Sequence, residues 1–423
     1  MEEEADPDME YEDAVDAAQR LAIATPEEKL AVLERHIGEV EKSTDSNARK
    51  RIVELRIQQV ALLQLVHTQK SIDVVKAFWR LAESYMENGM FPQTVEHAMK
   101  ARDLNIALGD DESRQVHPSI LLTLGLAHTR LGQLKEARNF LSKALKYSVA
   151  MYGDDDVRNA PMHMALAAVA KRESNFNQAL ESLQSAWAIK QAAHGDEHPE
   201  LADLYVLMAK VHAAKVEGDE NNDSEAAELY GKAHDVYVAT GLKLLGADAG
   251  LRLGRIYTKQ GKLEEAEHFL AETVREYEKT YGPLDLRTVA ALRDLGLLLV
   301  KWQRFEEARG VLKRLMRAER ELYGPESVRF ADTCRVLGTV YLADARWEEA
   351  LSAYQTVYKV YREEYGKTDK KTTNIANRIR EVKAQIKKAE AQVELQGQGQ
   401  EDYGIGEIDR DSLGRTETTE TDM

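Results

Sequence analysis

A glycine-turn signature returns along this chain at a nearly fixed interval. It reads Leu108-Gly109-Asp110, Tyr152-Gly153-Asp154, His194-Gly195-Asp196, Tyr281-Gly282-Pro283, Tyr323-Gly324-Pro325 and Tyr365-Gly366-Lys367. The glycines stand at steps of 44, 42, 87, 42 and 42 residues, the long step being two periods with a small insertion. A unit of this size cannot bury an apolar face by itself, so units must stack and cover one another. Stacking builds a long groove instead of a closed pocket. That favours recognition of another protein over catalysis.

Each unit repeats one internal pattern. Leu253-Gly254, Tyr257, Gly261, Leu263, Ala266 and Leu270 in one unit become Leu295-Gly296, Leu299, Gln303, Phe305, Ala308 and Leu312 in the next. The following unit has Leu337-Gly338, Tyr341, Ala345, Trp347, Ala350 and Tyr354. Earlier ones centre on Leu81-Ala82, Leu124-Gly125 and Leu166-Ala167. Apolar spacings of three, four and seven fit helices and not strands. The recurrent Gly or Ala at matched points lets two helix backbones approach closely, and the turn residue between them breaks the helix.

These residues resemble the tetratricopeptide repeat across residues 72–366. A standard repeat is ~34 residues; the longer period and the Tyr-Gly-Pro/Asp linker resemble the kinesin light chain type. His194-Gly195-Asp196-Glu197-His198-Pro199 is similar to its linkers. The overall layout resembles the ciliary tetratricopeptide repeat protein 23 family. The resemblance implies an all-α, right-handed superhelical solenoid with a C-terminal capping helix, acting as a non-enzymatic scaffold for a partner peptide or helix within a ciliary assembly. An axonemal or microtubule-associated element, or a kinesin or dynein cargo adaptor, is the alternative. The implied localisation is cytoplasmic, at a cilium or the cytoskeleton.

The chain divides into an acidic, mostly disordered segment at 1–24, a degenerate leading repeat at 25–70, seven repeats over 71–366, a capping helix at 367–395 and a disordered acidic tail at 396–423. A short amphipathic helix is expected at 8–24. Thr25-Pro26-Glu27-Glu28 is a helix start with Thr25 as cap. The fourth unit carries a polar insertion, Glu217–Asp223, between helices expected at 201–214 and 224–240. The second repeat is expected to begin near 116, and Gln396–Gln400 to end the last helix.

Charge sits at the ends. Residues 1–16 carry −9 and residues 394–423 carry −7, the whole formal charge of −16. The body is near neutral, which disfavours non-specific nucleic-acid binding. No apolar run approaches the ~20 residues that span a bilayer, so no membrane insertion is expected. The acidic start is unlike a secretory signal. One cysteine, Cys334, leaves no intramolecular disulfide and fits a reducing compartment; it reads as a buried small hydrophobe.

No phosphate loop, dinucleotide fingerprint, His-Glu-x-x-His or zinc cysteine pair occurs, so no enzyme activity, cofactor or metal is expected. His194 and His198 lie four apart but within a linker, not on a regular helix face. Asp154-Asp155-Asp156 lacks calcium-loop spacing.

The resemblance places positions of each first helix on the concave face. Read there, Arg255, Lys259, Arg293, Lys301 and Arg335 make a basic stripe for an acidic peptide segment. The same residues could serve as partners of Asp248, Asp294 and Asp332. The carboxylate-clamp places of chaperone-binding relatives hold Glu83, Leu126, Ala168, Arg255, Leu297 and Thr339, so that mode is not expected. The acidic tail could compete for the stripe in cis or serve only as a solubilising tail.

Overall fold

A computed structural model describes residues 24–43, 45, 47–67, 71–215 and 220–401. The described part is all-helical, with seventeen α-helices in consecutive antiparallel pairs. The leading pair is α1 (Pro26–Lys42) and α2 (Ala48–Val66). Seven repeat pairs follow: α3 (Ile72–Glu87) with α4 (Phe91–Leu108), α5 (Asp111–Arg130) with α6 (Leu134–Tyr152), and α7 (Ala160–Arg172) with α8 (Phe176–His194). Then come α9 (Pro199–His212) with α10 (Glu220–Ala239), α11 (Lys243–Gln260) with α12 (Leu263–Tyr281), α13 (Leu286–Lys301) with α14 (Phe305–Tyr323), and α15 (Val328–Ala343) with α16 (Trp347–Glu364). α17 (Lys370–Glu401) closes the series. The helices form two compact units, one up to Ala249 and one from Gly250.

Three local devices make each repeat. The first is the intra-repeat turn. Arg304 N donates to Leu299 O at 3.0 Å and Gln303 N to Val300 O at 3.1 Å, closing the helix in a Schellman motif. The motif needs one left-handed residue. Gly89, Gly132 and Gly261 supply it in three repeats, but Ser174, Gln303 and Ala345 adopt φ of 61°, 61° and 54° in three others.

The second device is the close helix contact. A Cβ at Gly125 would stand 2.4 Å from Leu141 Cγ; at Gly254 it would stand 2.7 Å from Leu270 Cγ. The glycine and the leucine sixteen residues later are one interlocking pair. Gly338 faces the ring of Tyr354 in the same way, at 3.0 Å. Ala266, Ala308 and Ala350 are fully buried beside these contacts.

The third is the linker. Arg158 stacks 3.4 Å over Tyr152 while pairing with Asp156, which caps the next helical turn. Arg287 does the same over Tyr281 at 3.3 Å with the cap Asp285. Arg329 over Tyr323 and Lys371 over Tyr365 repeat it. A tyrosine closing one repeat is thereby clamped to the start of the next. The His194 linker is built differently: its ring stacks on His198 at 4.5 Å, and His198 Nδ1 accepts from Glu200 N as the cap.

Thr25 and Glu28 form the expected capping box. Several boundaries differ from expectation. α5 begins at Asp111, not near 116, because Asp110 Oδ1 accepts from Ser113 N at 2.7 Å and starts the helix upstream of Pro118. α10 begins at Glu220, so 220–223 are helical; residues 217–219 of the insertion lie outside the described part. α17 runs to Glu401, past the stop expected at 396–400. Gln continues a helix readily and isolated Gly costs only about 1 kcal/mol, so neither residue is a breaker without a cap or a proline. The helix expected at 8–24 and the tail from 402 lie outside the described residues, apart from Ala24.

Candidate functional site

The five basic residues of the sequence stripe all belong to the second unit, on the first helices α11, α13 and α15. Arg255, Lys259, Lys301 and Arg335 are exposed, and Arg293 is partly so. Most of them are engaged within the chain. Arg255 Nε donates to Asp294 Oδ2 at 2.6 Å, bridging α11 to α13. Lys301 Nζ donates to Thr258 O at 2.5 Å, across the same two helices. Arg335 lies 3.9 Å from Asp332. Lys259 is exposed.

Arg293 stands apart. It reaches a carboxylate on the second helix, Glu319 of α14, whose side chain is fully buried. Glu319 Oε2 also accepts from Thr333 Oγ1 of α15 at 2.6 Å. Burial raises the Glu319 pKa, while Thr333 and Arg293 pull it back. The matching place holds Tyr277 one repeat earlier and Tyr361 one repeat later. Tyr361 spends its hydroxyl on Asp332, and burial with that bond pushes it up to about 12. Arg293 is therefore a structural cation as much as a surface one. The partners expected at Asp294 and Asp332 are present for Arg255 and Arg335; Glu319 was legible only as a charge inside an apolar period.

Sequence reasoning met Leu297 only as a place lacking the clamp residue, not as part of the stripe. It is 45% exposed and lies on α13 between Arg293 and Lys301, at steps of four. It gives this face one apolar side chain between two cations. Farther along, a cavity of ≈ 610 Å³ opens between α15, α16 and α17, with Arg335, Thr339, Tyr354, Asn374 and Arg378 on its walls. Thr339 Oγ1 and Tyr354 Oη lie 3.2 Å apart there.

The remaining sequence candidates are structural. Cys334 is buried, and burial with Glu319 nearby pushes its thiol up to about 12. Among the described residues no cluster of three or more His, Cys, Asp or Glu could hold a metal, and no helix is long and apolar enough to cross a membrane.

Sequence models of the tetratricopeptide repeat match residues 247–321, 119–157 and 164–200. The chain carries tetratricopeptide repeats. The fold of these repeats serves protein–protein interaction in general. No curated protein matches the sequence. Among solved structures, BtubC (BKLC) from P. vanneervenii aligns with a TM-score of 0.43 and 19% identity over 55% of this chain and 92% of that one. A putative kinesin light chain from Podosopora anserina, with nearly identical tetratricopeptide-like repeats, gives 0.42 and 19% over 49% and 98%. The apo quorum sensor NprR from B. thuringiensis gives 0.45 and 12% over 84% and 98%.

Proposed function

We propose that this chain is a non-enzymatic scaffold that receives an acidic, amphipathic partner segment on the first-helix face of its second unit. The observation that carries the reading is the set of exposed cations on three successive first helices, with Leu297 among them. Arg255 and Arg335 are themselves exposed and held by partly exposed acids, Asp294 and Asp332, and a partner carboxylate can take over such contacts at little cost. Surface pairs of this kind are worth about 0–1 kcal/mol. A ciliary setting, with a microtubule-associated or motor-adaptor role as the other possibility, is supported by the resemblance in layout.

The test is proximity labelling with the full chain and with R255E/K259E/R335E. Arg293 is left in place, since reversing it would set a carboxylate against buried Glu319. Loss of a defined set of partners in the variant, at unchanged melting temperature, is the expected result. Identical partner sets would sink the groove reading. Recovery of those partners in a soluble complex from the ciliary base favours the scaffold, and release only with salt-extracted axonemes favours the microtubule-associated role.

A further inference from the structure

The last helix is charged out of proportion to the rest of the chain. Residues 370–388 hold seven Lys or Arg against one acid, Glu381, in a protein of formal charge −16. The apolar side of α17 is occupied: Ile375 and Val382 are buried, and Thr372 Oγ1 donates to Tyr361 O of α16 at 3.1 Å. Two cations on one flank are occupied as well. Lys371 lies over the Tyr365 ring, and Arg378 donates to Glu381 at 2.9 Å. The other flank differs. Arg380, Lys383 and Lys387 recur at steps of three and four, so they share a face, with Lys388 beside them. All four are exposed, and among the described residues none of the four has an ion-pair partner. None of the four lines the cavity that holds Arg335, Asn374 and Arg378.

We propose that Arg380, Lys383, Lys387 and Lys388 form a docking stripe for a glutamate-rich segment of a partner protein. The stripe does not depend on the first-helix groove. Charge complementarity selects an anion, and what the helix lacks selects among anions. Residues 370–392 contain no aromatic side chain to stack on bases, so single-stranded nucleic acid finds no platform. Among the described side chains of α17, Ile375 and Val382 are buried and Ile379 and Ile386 partly so, which leaves a membrane surface no fully exposed large apolar anchor there. Three of the four cations are lysines, compact point charges that suit flexible carboxylates better than a fixed bidentate geometry.

The experiment titrates a fluorescent poly-glutamate peptide into the full-length protein and follows anisotropy. Binding should weaken steeply with salt, as the Debye length falls from about 30 Å at 0.01 M to about 8 Å at 0.15 M. R380Q/K383Q/K387Q/K388Q should weaken it by about tenfold or more, with circular dichroism and melting unchanged. R255E/K259E/R335E should bind the peptide as before, which separates failure of the stripe from failure of the groove. Equal binding by the quadruple variant overturns the proposal. So does tighter binding of anionic vesicles or of a single-stranded oligonucleotide through the same four residues. Binding that appears only after the acids of 402–423 are changed to amides would assign the stripe to the chain's own tail and overturn a partner role.

Discussion

Ala345 holds a backbone conformation that alanine disfavours. Its φ of 54° places Cβ against the following carbonyl, a strain of roughly 1–2 kcal/mol that glycine escapes. Ala345→Gly should therefore raise the urea midpoint, a stabilisation of about 1 kcal/mol, although glycine usually weakens helical proteins. A lower midpoint would mean that this turn is not left-handed in solution. Gly282 makes the opposite case. Its φ of 84° and ψ of 170° lie where side chains are essentially excluded, with open space around the missing Cβ. Gly282→Ala should cost about 1–3 kcal/mol from backbone strain alone. Arg293 and Glu319 test a third residue-scale effect. Arg293→Ala leaves a buried carboxylate with Thr333 as its hydrogen-bond partner and only the more distant charge of Arg329 to offset it, whereas Glu319→Gln keeps both neighbours a hydrogen-bonding group. The first should destabilise by roughly 1–3 kcal/mol and more than the second. Equal losses would show that the pair contributes packing and not charge compensation.

At the level of elements, the repeats are held by matched pairs of small and large residues. Gly125→Ala gains helix propensity of about 1 kcal/mol but drives a methyl into Leu141, where overpacking costs about 1–3 kcal/mol. At Gly338 the facing atoms are 3.0–3.3 Å away and belong to one Tyr354 ring, so less displacement is needed. Thermal melts should rank Gly125→Ala below Gly338→Ala. Where α2 meets α3, Glu83 shares a cavity of ≈ 750 Å³ with Arg49, Arg56, Arg80, Glu41 and Glu87. Burial, then repulsion from Glu87, pushes its carboxyl up to about 7 against the pull of Arg80 and Arg56. The folded state thus binds a proton that the unfolded chain has released between about pH 4.5 and about 7. This contribution to stability is present near the lower figure and lost as pH rises to the upper one. Glu83→Gln should raise the melting temperature at about pH 8 and leave it nearly unchanged at about pH 4.5. A uniform shift at both would remove titration as the cause.

For the whole molecule, α17 completes the last repeat. It covers α16 with Ile375, Val382 and Thr372, and at 32 residues it extends about 48 Å, well beyond the 18-residue α16. Deleting residues 370–395 should expose the face formed by Tyr354 and Tyr361 and promote aggregation, as uncapped solenoids do. A deletion variant that stays monomeric in light scattering and melts normally would show that the cap is dispensable.

The period, the helix pairs, the turns and the acidic ends were all legible in the sequence. Each depends on local chemistry: apolar spacing, small residues at fixed points, and glycine at half of the left-handed turns, the others falling at Ser174, Gln303 and Ala345 by their place in the period. The Tyr-Gly linkers could be located from sequence, but not the Arg–Tyr clamp across them, since stacking depends on where a side chain six residues on is carried. The basic stripe was likewise visible as a row of charges. Only the tertiary structure showed that Arg293 reaches back to buried Glu319, that Arg255 and Lys301 tie α11 to α13, and that Leu297 lies exposed among them. Spacing assigns a residue to a helix face. It does not say which neighbouring helix supplies the counter-charge, because that neighbour is set by packing between segments tens of residues apart.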